Sequence, residues 1–172
     1  MSGKPPRIYW DVNCFLSFIN QDPRWLPTLE TLIDDARTHG TIEIVTSVLS
    51  IAEVAFAAAE RLKRALDARE EARIENLWRS RGIALVEVNE RVARLAREIR
   101  RDDLVRGRTG GRRTPDIIHL ATARLMAVQD MHTTEPDLHK YSNLWGSPVR
   151  DPYSPTPRLP GLTGGGEVTN DE

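Results

Sequence analysis

Four short strand-like stretches, spread along the chain with helical ones between them, constrain this fold more than any other feature. They are RIYWD (7–11), IEIVT (42–46), IALVEV (83–88) and MHTT (131–134), and residues 147–152 offer a further edge strand. The intervals read as helices. Asp22-Pro23 opens one as N-cap and first helical residue. Trp25, Leu26, Leu29, Leu32, Ile33 and Ala36 then recur at helical spacing, and Gly40 closes it. From Ser47 a second helical run carries Ile51, Ala52, Val54, Ala55 and Ala58. It continues into RLKRALDAREEARIENLW (61–78), a long exposed helix or a helical hairpin. Asn89 caps a third run with Val92, Leu95, Ala96 and Ile99, and a fourth occupies 115–128, with Thr114 as its cap. DDLVRGRTGGRR (102–113), rich in Gly and Arg, reads as a loop. Strands alternating with helices predict an α/β three-layer sandwich: a central, mostly parallel sheet of four to five strands, plus a helical hairpin. Ligands of such sheets bind beyond the carboxyl ends of the strands.

With 172 residues, one folded unit over 1–151 is expected. From 152 to 172 the chain is dense in Pro, Gly and polar residues, so a flexible tail is expected there. A net charge of −1 makes the whole molecule no polycation, so any nucleic-acid contact needs a local patch. Cys14 is the single cysteine, which rules out an internal disulfide and fits a reducing compartment. The N-terminal stretch has no apolar core of a secretion signal, and no apolar run approaches a membrane span. A cytoplasmic location with no membrane association is the expectation.

The acids fall in a pattern. Asp11 ends the first strand, Glu53 lies early in the helix after the second, and Asp116 lies in the first turn of the helix after the basic loop. Glu135 and Asp137 follow the fourth strand. All can meet at one edge of the sheet. Carboxylates converging there repel each other, and the usual remedy is a hard divalent cation, Mg²⁺ or Mn²⁺, which prefers oxygen ligands. Such an ion suits phosphodiester hydrolysis. Each acid also has a plain structural reading. Asp116 faces the positive end of its helix, Ser50-x-x-Glu53 fits a capping box, Asp11 can cap the next helix, and Glu135 and Asp137 fit an ordinary loop. His119 reads as a solvated or hydrogen-bonded helix residue, Cys14 as a small buried residue and Trp10 as core.

On IYWDVNCFL (8–16), TSVLSIAEV (46–54), RTPDIIHLATA (113–123) and MHTTEPDL (131–138), the chain resembles PIN-domain ribonucleases. It is most similar to the toxin subunits of VapBC-type toxin–antitoxin systems. The likeness runs from residue 7 to about 150. It implies a metal-dependent endoribonuclease in which Asp11, Glu53 and Asp116 bind Mg²⁺ or Mn²⁺. The family's fourth acid follows a Thr-x-Asp pattern, and here Glu135 occupies that place. The glutamate and the following Pro136 depart from the pattern and leave Glu135 and Asp137 both open as fourth ligand. Asn13 and Thr46 fall where the family has small polar residues. The likeness further implies products with 5′-phosphate and 3′-hydroxyl ends, an antitoxin partner that inserts a segment into the site, and homodimers.

Arg106, Arg108, Arg112 and Arg113 lead directly into Asp116 and suit RNA phosphates, although a solvated loop explains them equally well. Two other functions compete. A phosphatase of the haloacid-dehalogenase type needs a D-x-D start, but Asp11-Val12-Asn13 lacks the second acid. A non-catalytic RNA- or protein-binding module would tolerate loss of the fourth acid.

Overall fold

A computed structural model describes residues 4–107, 113–142 and 147–155. It begins with β1 (Arg7–Trp10), α1 (Val12–Ile19) and α2 (Leu26–Asp34), which runs into a π-helical turn (Asp35–His39). β2 (Glu43–Ser47), α3 (Leu49–Leu62), α4 (Ala68–Trp78) and β3 (Ile83–Val86) follow. The chain continues with α5 (Glu90–Val105), α6 (Thr114–Leu125), β4 (Asp130–His132), a 3₁₀ turn (Pro136–Tyr141) and β5 (Val149–Arg150). The five strands form one sheet in the order β3-β2-β1-β4-β5, and every pair is parallel.

Alternation along the strands splits the core in two. Ile8, Trp10 and Ile44 face α1–α4, where Phe15, Leu29, Leu32, Val54 and Trp78 close over them. Tyr9, Val45 and Met131 face α5 and α6, against Val92, Ile99, Ile117 and Leu120. Helices on both faces make the expected three-layer sandwich. On the first face the aromatic rings meet edge to face: Trp10 and Phe15 at 5.2 Å, Phe15 and Trp78 at 4.8 Å between centroids. Each such pair contributes about 0.5–1.5 kcal/mol beyond area burial.

The helical hairpin forms between α3 and α4. Lys63 turns with φ +52°, and Asp67 and Glu70 make a reciprocal capping box at the start of α4. Asn89 caps α5 by accepting from the N–H groups of Arg91 and Val92. Gly40 ends the second helical stretch in the left-handed region, as its position suggests.

Several boundaries differ from expectation. Asp22-Pro23 does not open α2. The Asp22 carboxylate caps a tight turn through the Arg24 N–H at 3.0 Å, and the helix begins at Leu26 with Pro27 in its first turn. α1 supplies an additional helix directly after β1. The loop expected over 102–113 is shorter, because α5 runs to Val105. Asp103 on its last turns is buried and accepts the Tyr141 hydroxyl at 2.6 Å. α6 starts at Thr114 rather than being capped by it, so Asp116 is its third residue. The start of the expected tail carries contacts: Tyr153 donates to Asp130 at 2.5 Å and Ser154 to Asp35 at 3.3 Å. Residues 156–172 lie outside the described residues. No helix among the described residues is long and apolar enough to cross a membrane.

Candidate functional site

The strand order reverses between β1 and β4, because the chain leaves β1 toward β2 on one side and returns to β4 on the other. Segments leaving the carboxyl ends of these two strands diverge, and the cleft between them is the standard ligand position of open parallel sheets. Asp11 follows β1 there, and Thr133 follows β4.

Asp11 is 3% exposed and is the N-cap of α1. Its Oδ1 accepts from the Cys14 N–H at 3.1 Å. Its Oδ2 accepts from the Thr133 hydroxyl at 2.5 Å and from Asn13 Nδ2 at 3.3 Å. Thr133 Oγ in turn accepts the Glu135 N–H at 3.0 Å. The structural and the functional readings of Asp11 are thus compatible: the cap fixes where the carboxylate points. Burial pushes its pKa up, against the hydrogen bonds from Thr133, Cys14 and Asn13, which favour the charged form. The Cys14 thiol is buried and pushed well up by desolvation, which fits a packing role.

The capping box expected of Ser50-x-x-Glu53 does not form. α3 begins at Leu49, Ser47 Oγ accepts from the Leu49 N–H at 3.2 Å, and Ser50 pairs with Thr46 at 2.8 Å. Glu53 is left free to reach across to α6, where its Oε2 meets His119 Nε2 at 2.7 Å. The other ring nitrogen, Nδ1, meets the Tyr9 hydroxyl at 2.6 Å, and that hydroxyl accepts from the Ser47 N–H at 3.1 Å. His119 is 3% exposed. The expected solvated alternative therefore does not hold, and the hydrogen-bonded one does. Tyr9, two residues before Asp11 and on the opposite face of the sheet from Trp10, is a further residue of this cluster that the sequence did not announce. So is Thr133. The available signals were the threonine of the Thr-x-Asp-like stretch at 133–135, the three-residue spacing of Asp116 and His119, which share a helix face, and the alternation of Tyr9, Trp10 and Asp11.

The remaining candidates divide. Thr46 is fully buried and donates to the Trp10 carbonyl at 2.8 Å, fixing the end of β1 rather than touching Asp11. Asp116 is half-buried, one helical turn before His119, and its Oδ2 accepts from the Arg113 N–H at 3.3 Å. Glu135 and Asp137 are exposed around the 3₁₀ turn after β4. Arg106 ends α5 and Arg113 precedes α6, both exposed. Arg108 and Arg112 lie outside the described residues.

No group of three or more His, Cys, Asp or Glu side chains among the described residues is arranged to hold a metal ion. The donors that the geometry does offer are all oxygens: a buried Asp11 carboxylate whose charge is opposed by burial, and Glu53 with one oxygen tied to His119. This chemistry fits Mg²⁺, which is commonly held by one or two carboxylates and keeps several waters. It does not fit a structural Zn²⁺ site, which takes four cysteine or histidine ligands.

The comparisons with known proteins agree with this architecture. Residues 8–144 match the family model described as PIN domain. No curated protein sequence matches the chain. Among solved structures, a chain of VapBC2 from Rickettsia felis, bound to a promoter DNA fragment, superimposes with a TM-score of 0.62 at 14% identity, over 84% of this chain and 98% of that one. DNA-bound VapBC from Salmonella typhimurium gives 0.61 at 16%, over 85% and 98%. VapC20 of Mycobacterium tuberculosis, a toxin that cleaves the sarcin–ricin loop, gives 0.60 at 16%, over 82% and 98%. Identities this low establish a shared fold. The family model spans most of the chain, and the chain belongs to the PIN domain family.

Proposed function

We propose that this chain is a divalent-metal-dependent endoribonuclease and the toxin of a toxin–antitoxin pair. The observation that carries the reading is the Asp11 carboxylate, buried where the strand order reverses, with the Glu53–His119 pair beside it. A bound Mg²⁺ or Mn²⁺ supplies Lewis acidity and a water of lowered pKa. Asp11 and Glu53 are the residues to hold it, with Asp116 one helical turn from His119 on the same face. Asn13 and Thr133 orient Asp11 by donating to Oδ2. Glu135 or Asp137 completes the acidic set if the turn after β4 closes on substrate. Arg106 and Arg113, with Arg108 and Arg112, give RNA phosphates a positive approach to Asp116. The solved neighbours are VapBC assemblies, including one described as a toxin–antitoxin complex from Klebsiella pneumoniae, which supports an antitoxin as partner of this chain. We extend the same reading to a homodimer.

The test is cleavage of single-stranded RNA by the purified chain. Cutting should require Mg²⁺ or Mn²⁺, stop with EDTA, and disappear in Asp11→Asn. Cutting that survives EDTA, or an active Asp11→Asn, overturns the mechanism. One observation favours a second reading: no three-donor group exists among the described residues. A non-catalytic PIN module would bind RNA or protein equally well with and without EDTA, and would turn nothing over.

A further inference from the structure

We infer that His119 is a positioning residue that presents Glu53 to the divalent cation, with its ring locked by Tyr9. The inference rests on the proposed hydrolase reading. Its physical basis is a buried relay linking three elements. It starts at the N–H of Ser47, at the end of β2. That group donates to the Tyr9 hydroxyl on β1 at 3.1 Å, so the Tyr9 oxygen is already an acceptor. A phenol carries its proton at neutral pH. That proton is free to point at His119 Nδ1, 2.6 Å away. A neutral imidazole accepting at Nδ1 carries its own hydrogen on Nε2. Nε2–H then donates to Glu53 Oε2 at 2.7 Å.

The direction comes from the far end, because a carboxylate accepts: Nε2 then carries the hydrogen, Nδ1 of a neutral ring accepts from the Tyr9 hydroxyl, and Oε2 of Glu53 is turned toward the ring. Oε2 is engaged, and Oε1 has no hydrogen-bond partner among the described residues. Glu53 is about a quarter exposed, at 26% of its side chain, while His119 is 4% exposed. The carboxylate is thus held from the buried side and open on the other. A hydrogen-bonded carboxylate with one free oxygen is the usual condition of a metal ligand supported by an outer partner, and loss of such a partner typically weakens metal binding about 10- to 100-fold. The buried His132 shows the contrast: among the described residues neither of its ring nitrogens has a hydrogen-bond partner.

The experiment combines two readouts on the full chain. Long-range ¹H–¹⁵N spectra of the metal-free protein report the His119 tautomer. Mn²⁺ titration followed by electron paramagnetic resonance reports affinity for the wild type, Glu53→Gln, His119→Ala and His119→Gln. Glutamine places its amide nitrogen near the position of Nε2 and keeps the donor to Glu53. The expected result is the Nε2–H tautomer, Mn²⁺ affinity lowered about 10- to 100-fold by His119→Ala, and most of that loss recovered in His119→Gln. Wild-type affinity in His119→Ala overturns the proposal. An equal loss in both His119 variants also overturns it, because the donor then does not matter. An Nδ1–H tautomer breaks the relay and overturns it as well. If the wild type binds no Mn²⁺ that Glu53→Gln removes, yet shows the Nε2–H tautomer, the hydrolase reading has failed and the positioning role falls with it.

Discussion

The Thr133 hydroxyl donates to Asp11 Oδ2 at 2.5 Å, joining residues 122 positions apart across the reversal of strand order. The bond ties the segment after β4 to the segment after β1. It also satisfies a carboxylate that is almost wholly out of water. Thr133→Val keeps the shape and removes the donor, leaving Oδ2 with the longer Asn13 bond. We expect a loss of about 1–3 kcal/mol in denaturant unfolding, the cost of a buried acceptor deprived of its partner. Thr133→Ser should retain most of the stability. A Val variant as stable as the wild type contradicts this account of the bond.

Asp11 should make the metal-free protein less stable at neutral pH. Its folded-state pKa is raised by burial, so the folded protein binds this proton more tightly than the unfolded chain does. Stability then falls as pH rises from the ordinary carboxylate range through the raised value, and stays low above it. Asp11→Asn carries no charge to desolvate. In EDTA it should melt no lower than the wild type at pH 7, with the difference vanishing in acid. Lower stability of the variant at pH 7 would show that the hydrogen bonds of the carboxylate outweigh its burial.

His132 works in the opposite pH direction. It is fully buried, and desolvation pushes its pKa down to about 4 from the ordinary 6.5. Between these values the unfolded chain takes up a proton that the folded protein refuses. Stability is therefore full above pH 6.5 and declines as pH falls toward 4, by about 3 kcal/mol in all. His132→Phe should flatten this segment of the stability–pH curve. An unchanged slope would assign the acid loss to other groups.

Gly82 turns the chain into β3 with φ +87°. A Cβ there would lie 2.4 Å from the Ala36 carbonyl oxygen, a backbone atom that cannot swing aside. Gly82→Ala combines that clash with a left-handed backbone. We expect destabilisation of more than about 1 kcal/mol, beyond what the change in chain entropy returns. Gly40 offers the control: its φ is +62° but nothing lies within 4 Å of the added atom. Gly40→Ala should therefore cost less than Gly82→Ala, as thermal unfolding of the two variants would show.

The sheet was legible because periodicity and punctuation agreed. IALVEV lies between Gly82 and the capping Asn89, and β3 forms between them. Boundaries failed where tertiary contacts decided. Asp22-Pro23 looks like a helix start, yet Asp22 spends its carboxylate on a turn. DDLV looks like loop, yet Asp103 is drawn inward by Tyr141, far along the chain. The position of Asp11 was legible, since it falls at a strand end. Its supporting shell was not. Tyr9, His119 and Thr133 matter through partners 38 to 122 positions away, and no local pattern encodes such distances. The Ser50-x-x-Glu53 box shows the converse: a valid local motif yields when Thr46 and His119 offer its side chains better partners.

The central claim is that Asp11 and Glu53 hold a divalent cation at the reversal of strand order. The most direct measurement is an anomalous difference map from a crystal soaked in Mn²⁺. The account predicts one strong peak in coordination contact with the carboxylates of Asp11 and Glu53, absent from crystals of Asp11→Asn. A map with no peak at these two residues, from crystals of protein that cuts RNA, would contradict it.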